Sequence, residues 1–375
     1  MRDFKVAFVA GCSIFAMMFG SSNIVMPALV VRMFPDSWFG AYIGFALMAV
    51  VMPLVGLFAM FALDGSEKRF YAPIGNIKFG SMQIGGWIQF WMVFLIMVFM
   101  CPLGGIPRSI TVAVGALSAI LPSVDTHILY VASHLAVLAV MFRETAIIDI
   151  LSKYLSPVKI ISLVSFVILG IDYSSGYSGG GMKVVECIEG CKTGYLTTDL
   201  VASVMFSAMI VQMIKARASD PVKTSIIASS ITGLLLGIVY FGFFLLYSSN
   251  QEAVAHVDNS VQLLSAIAEH SLGRLANIFV SCVIAITCFT TVVALMTVWI
   301  QYLERTFLFK RYHVMLLTAC AVSYFISTMM RFEQILVFMT PVINVVYPIM
   351  IVLSVVHIVR MCRKNDHKRC GVEVS

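Results

Sequence analysis

Apolar runs close to the length of a bilayer crossing recur ten times along this chain and leave it few ways to fold. They are Phe4 to Met33, Trp38 to Leu63, Met82 to about Val114, Thr126 to Phe142, Val158 to Ile171, Tyr195 to Ile214, Ile226 to Tyr247, Leu275 to Tyr302, Val314 to Met330 and Ile335 to Val359. A helix needs roughly 20 apolar residues to cross the hydrocarbon. In lipid every backbone N–H and C=O must be satisfied within the protein, which leaves helices or closed barrels. These runs are too long and too evenly apolar for barrel strands. The expected fold is therefore an all-α integral membrane protein of about ten transmembrane helices, forming a single transmembrane domain over 1–375. With 60% hydrophobic and 12% charged residues, no soluble domain has room. A mean hydropathy of +0.96 agrees.

Orientation follows from the cations. Of 25 Lys and Arg, all but Arg32, Arg108, Lys183, Lys192, Arg274 and Arg331 fall on the N-terminal side of the membrane, Lys153 and Lys159 included. Such a bias places that side, both termini and the basic tail 360–375 in the cytoplasm, with the protein in the cell (inner) membrane. The net charge of +6 then reads as topology and contact with lipid headgroups, not as a nucleic-acid surface. The nine cysteines are scattered, with no zinc spacing. Cys187 and Cys191 flank Glu189 in an expected outer loop, as two free thiols or, less favoured, a disulfide. The N-terminus has the basic start of a signal peptide, but the apolar character resumes at Ile24, so an uncleaved first helix is expected. Two connectors carry structure of their own. An interfacial elbow is expected over Leu151 to Lys159, and an amphipathic helix, either lid or inert surface, over Val257 to Leu272.

One polar interruption stands out within the first run, Gly20-Ser21-Ser22-Asn23. Near mid-span it implies two half-helices around a cavity, or else a kink packed through small residues. Half-helix ends carry partial charges that suit a carboxylate at one end and a cation at the other. Ten spans divide into two sets of five, about 4–173 and 195–359, and an inverted repeat places the counterpart of span one at span six. That span opens with Thr197-Thr198-Asp199, followed by the small residues Ala202 and Ser203. No residue-level similarity between the halves is visible.

Five stretches resemble the branched-chain amino acid:cation symporters, the BrnQ-type carriers of the LIVCS family. Phe19 to Pro27 is similar to G-A-G-N-I-I-F-P-P, and Pro102-Leu103 with Pro107-Arg108-Ser109 to P-L-F-A-T-P-R-T. Asp149 with Leu155 to Ile161 resembles L-D followed by L-A-P-L-K-I-I. Gly194 to Asp199 is similar to G-Y-L-T-M-D, and Pro341-Val342 with Tyr347-Pro348 resembles the family's tenth span. The resemblance implies a LeuT-like fold of two inverted five-helix repeats with helices 1 and 6 discontinuous. It departs at Ser22, Ala202 and Ser207, where the family has glycine, and at Ala28, where it has proline. Family members also carry two further helices after the tenth, for which this sequence has no apolar run.

An amino acid crosses as a zwitterion. Its carboxylate is expected at Gly20, Ser21, Ser22 and Asn23, where a half-helix presents free N–H groups, and its ammonium at carbonyls freed near Ala202 and Ser203. Phe206, with Met205, would wall the apolar side chain, although Met and Phe are more often plain packing. Asp199, the acid of span six, is a proton or cation carrier or else a surface N-cap. Arg108 is a gating residue or a snorkelling cation. The resemblance implies a sodium site where Thr287, Thr290 and Thr291 of span eight meet carbonyls of the first break at Gly20 and Asn23; the alternative is back-bonding within the helix. The function so implied is a secondary active importer of Leu, Ile, Val and similar apolar amino acids such as Met, in symport with Na+ or H+ by alternating access. It needs no other metal or cofactor; its oligomeric state leaves no trace in the sequence. Two other classes compete. One is an amino-acid sensor or scaffold that does not transport. The other, much weaker, is a hydrolase using Ser178 of Gly176-Tyr177-Ser178-Gly179-Gly180, which lacks the strand-to-helix context of a nucleophile elbow.

Overall fold

A computed structural model describes residues 2–77, 84–142, 156–171, 183–251, 257, 261–307 and 311–369. Ser178, most of the elbow and Asp258 lie outside the described residues. Among those described, all regular structure is helical. The first half runs α1 (Arg2–Met18), α2 (Ser21–Met33), α3 (Trp38–Ala46), a π-helical turn (Leu47–Val51), α4 (Met52–Ala62), α5 (Glu67–Gly75), α6 (Gly85–Met100), α7 (Gly105–Ile120), α8 (Thr126–Met141) and α9 (Ser156–Gly170). The second runs α10 (Val184–Tyr195), α11 (Asp199–Arg217), α12 (Pro221–Ser249), α13 (Leu263–Leu272), α14 (Arg274–Phe307), α15 (Tyr312–Met329) and α16 (Phe332–Arg369).

Among the described residues, 7 helical segments are long and apolar enough to cross a membrane, and 8 if the bent pair α1 and α2 counts as one. The fourth and fifth apolar runs form the shorter helices α8 and α9. At 1.5 Å per residue, the 16 residues of α8 extend only about 24 Å, less than the hydrocarbon thickness. Large apolar side chains such as Trp87, Ile161, Leu234, Leu275 and Val337 point outward, as lipid-facing helices require.

Two expectations are corrected. Cys187 and Cys191 lie on α10, a turn apart, and not in a loop; both are free thiols. Glu186, Glu189 and Lys192 interrupt the apolar run, yet α10 packs tightly along α3 through small residues. A Cβ on Gly190 would stand 1.9 Å from the Ala41 carbonyl oxygen, and one on Gly44 1.9 Å from that of Cys187. Only glycine permits so close an approach of two backbones. Second, Ala202 and Ser203 lie inside α11, and the regular helix lapses about a turn earlier, over Leu196 to Thr198, within a segment Val184–Arg217 that counts as one membrane-length span.

The segment after Val257 does form a helix. Val261, Leu264, Ile267 and Ala268 are buried, so α13 presses its apolar face onto the bundle. Asn277 Nδ2 of α14 donates to Glu269 at 2.9 Å, and the Ser265 and Ser281 hydroxyls lie 3.1 Å apart.

Candidate substrate and ion site

The site begins where α1 stops. Between Met18 and Ser21 the helix axis turns by 66°. Asn23 stabilises the turn locally, because its Oδ1 accepts the Gly20 N–H at 2.9 Å, replacing the carbonyl that a continuous helix would have supplied. Gly20 packs closely there, since a Cβ would meet the Thr291 side chain at 3.0 Å and that side chain would have to give by a few tenths of an ångström.

Asn23 also reaches the second interruption. Its Nδ2 donates to both carboxylate oxygens of Asp199, at 2.8 and 2.9 Å, and to the Tyr240 hydroxyl on α12. Tyr240 in turn donates to Asp199 Oδ2. Asp199 is 1% exposed in the first turn of α11, where the positive end of the helix favours a carboxylate. Thr198 before it takes a left-handed conformation, φ 64°, a strained geometry for a β-branched residue that persists only where the surroundings enforce it. The surface N-cap reading of Asp199 therefore fails on burial.

Arg108 comes from a third direction. It sits in the first turns of α7, 5% exposed, and its Nη2 donates to Thr198 Oγ1 at 3.4 Å. The neighbouring Ser109 hydroxyl lies 3.2 Å from that of Ser21. Arg108 thus stands between the two breaks, within the electrostatic reach of Asp199, and is no snorkelling surface cation. Its Nε and Nη1 have no hydrogen-bond partner, and neither has the Ser22 hydroxyl. Unpaired buried donors are costly and mark a place where a ligand would supply acceptors.

The three threonines gather on the other side of the break. Thr291 Oγ1 donates to the Phe19 carbonyl at 3.4 Å, and Thr290 and Thr291 both also bond back to Thr287 O, at 2.8 and 3.2 Å. Thr287 Oγ1 has no partner. Among these oxygens lies Lys159 Nζ of α9. Charge counting along the sequence places Lys159 with the cytoplasmic cations; at 1% exposed, it belongs to the core.

The expected site residues thus divide. Gly20, Ser21, Ser22, Asn23, Asp199 and Arg108 meet in one buried polar cluster, joined by Ser109 and Tyr240, which sequence reasoning did not single out. Thr287, Thr290 and Thr291 line a second cluster, whereas the Asn23 side chain turns to Asp199. Ala202, Ser203 and Phe206 are buried within α11, and the Ser203 hydroxyl bonds to its own helix at Leu200 O, 2.7 Å. Beyond Phe206, Met205 and Met209 line a cavity of about 450 Å³ that runs to Glu67, Tyr71 and Arg305.

Solved structures with a similar course of chain include the manganese transporter of Eremococcus coleocola, in complex with an aromatic bis-isothiourea substituted compound. It superimposes with a TM-score of 0.54 over 93% of this chain and 78% of that one at 13% identity. A histidine-to-alanine mutant of the same transporter gives 0.52 over 85% and 69% at 12% identity. At that identity the likeness is one of fold alone, that of a multi-pass helical membrane protein. The family model described as branched-chain amino acid transport protein matches residues 4–374, and the chain belongs to that family. Its relatives include the branched-chain amino acid transport system 3 carrier protein of Pseudomonas aeruginosa, 27% identical over 92% of this chain and 78% of that one. The branched-chain amino acid permease BraB of Bacillus subtilis is 26% identical over 94% and 79%. The chain is a branched-chain amino acid transporter and not an enzyme.

Proposed function

We propose that the chain imports leucine, isoleucine, valine and apolar amino acids of similar size by alternating access, driven by a cation gradient across the cell membrane. In this reading ten spans form two inverted five-helix repeats of LeuT-like arrangement, with the first and sixth discontinuous and both termini cytoplasmic. The observation that carries it is the Asn23 to Asp199 bridge, which joins the two helix interruptions inside the apolar bundle. The substrate carboxylate lies against the first-turn N–H groups of α2, the Ser22 hydroxyl and the unpaired N–H groups of Arg108. Its ammonium faces Asp199 and the chain around Thr198. The apolar side chain packs toward Phe206 and Met205. The cavity between Met205 and Arg305 is the cytoplasmic exit.

The deciding experiment is uptake of labelled leucine, isoleucine, valine and methionine into proteoliposomes under imposed sodium or proton gradients. Accumulation above equilibrium is expected for the branched substrates. Binding without accumulation or counterflow would instead support a sensor.

Ser22 offers a test of the pocket itself. Its hydroxyl is buried without a partner beside Ser21 and Asn23. Ser22→Gly is expected to keep transport and change the ratio of valine to leucine or methionine uptake by roughly 5- to 10-fold, at the lower end of the about 1–3 kcal/mol that a methylene-sized change of pocket is worth. An unchanged ratio would take Ser22 out of the substrate wall.

A further inference from the structure

The oxygen cluster that would hold a free coupling cation contains a cation of the chain itself. Lys159 Nζ donates to Ala16 O at 2.7 Å, Thr290 Oγ1 at 3.2 Å and Thr287 O at 3.4 Å, and also to Phe19 O. The Phe19 ring lies 6.0 Å away. The break makes this arrangement available. In an unbroken helix Ala16 O would accept the Gly20 N–H, and Phe19 O the Asn23 N–H. Gly20 N–H is bound by the Asn23 side chain instead, and α1 ends, so the last carbonyls of α1 turn their lone pairs and the negative end of the helix toward α9.

Among the described residues no carboxylate is a partner of Lys159. The titratable group that acts on it from α14 is the buried Cys288 thiol. The ammonium is therefore held as a hard metal cation is held, by neutral oxygens from two helices. A lysine serving only as a strut could end on one carbonyl. This one draws on the last turn of α1 and on a carbonyl and a hydroxyl of α14, and it fills the space between them.

We propose that Lys159 is the resident cation of this carrier: its ammonium occupies the position at the first helix break where a sodium ion would sit, and substrate binding needs no sodium. The proposal rests on the carrier reading above and specifies how its ion half is built. It sets aside the sodium site expected at Thr287, Thr290 and Thr291, where the Thr287 carbonyl and the Thr290 hydroxyl accept from the lysine.

Thermal unfolding of the purified full-length chain, in sodium or in choline chloride at equal ionic strength, tests it without any amino acid present. The wild type is expected to show the same midpoint in both salts. Lys159→Ala, whose cage is vacated, is expected to unfold several degrees lower in choline and to recover part of that loss as sodium is titrated. In a second measurement, leucine binding by the wild type is expected to be equal in the two salts, and that of Lys159→Ala to fall at least about tenfold in choline. A saturable sodium-specific stabilisation of the wild type overturns the proposal, as does unchanged leucine binding by Lys159→Ala in choline. If Lys159→Ala does not fold, the wild-type sodium titration decides alone. Absence of leucine binding in either salt would refute the carrier reading and leave the sodium titration to speak for the cage.

Discussion

Asp199→Ala is expected to lower leucine uptake by roughly 100- to 1,000-fold. The carboxylate accepts two bonds from Asn23 and one from Tyr240 and is the negative charge that acts on Arg108 across the breaks. Its removal leaves a buried guanidinium without a balancing charge and strands the Asn23 amide. Leaving buried hydrogen-bonding groups without their partner costs about 1–3 kcal/mol each, and each 1.4 kcal/mol is tenfold. Because Asn23 also holds the Gly20 N–H, the first break would lose its geometry together with the second. Asp199→Asn keeps the shape and most hydrogen bonds while losing the charge, so an intermediate loss is expected. Initial rates in proteoliposomes, normalised to monodisperse protein, separate the three forms. Equal rates for Asp199→Ala and wild type would remove Asp199 from the transport machinery.

Gly190→Val is expected to abolish correct assembly. The first atom of any side chain at this position would stand 1.9 Å from Ala41 O, against the backbone of α3, so nothing flexible can give way. Overpacking in a well-packed core costs about 1–3 kcal/mol where side chains can shift; here two helices must separate along the face that also bears Gly44 and Gly194. The span following α10 contains Asp199, so displacement of α10 carries the site with it. Size-exclusion profiles in mild detergent should lose the monodisperse peak. Gly237→Ala is the matched control: a Cβ there meets nothing within 4 Å, and wild-type behaviour is expected. Normal yield of Gly190→Val would mean that α3 and α10 do not pack as described.

The helices and the first break were legible because hydropathy and a run of four small polar residues report directly on what lipid forbids. Asp199 was legible as an acid inside an apolar span. Lys159 was not, since charge counting assigns a lysine by its place in the chain, and a long side chain at the start of α9 can point into the bundle as easily as toward the headgroups. The helix α10 was hidden by Glu186, Glu189 and Lys192; what seats it against α3 is the absence of side-chain volume at Gly190 and Gly194, which a hydropathy scale does not measure. Small residues at 202 and 203 look like the weak point of span six, whereas the regular helix lapses at a left-handed threonine that no composition rule would select. Arg108 was visible in a recognisable stretch, but its role depends on Thr198, 90 positions away in the chain.

The Gly20 N–H, which an unbroken helix would give to Ala16 O, goes to the Asn23 side chain instead. Held by Asn23, it leaves the Ala16 carbonyl to Lys159 and keeps the helix bent. The same Asn23 side chain gives its nitrogen to Asp199, so one amide serves both interruptions, its oxygen at the first and its nitrogen at the second. Its loss would therefore free the Gly20 N–H and leave Asp199 short of two donors in a single change.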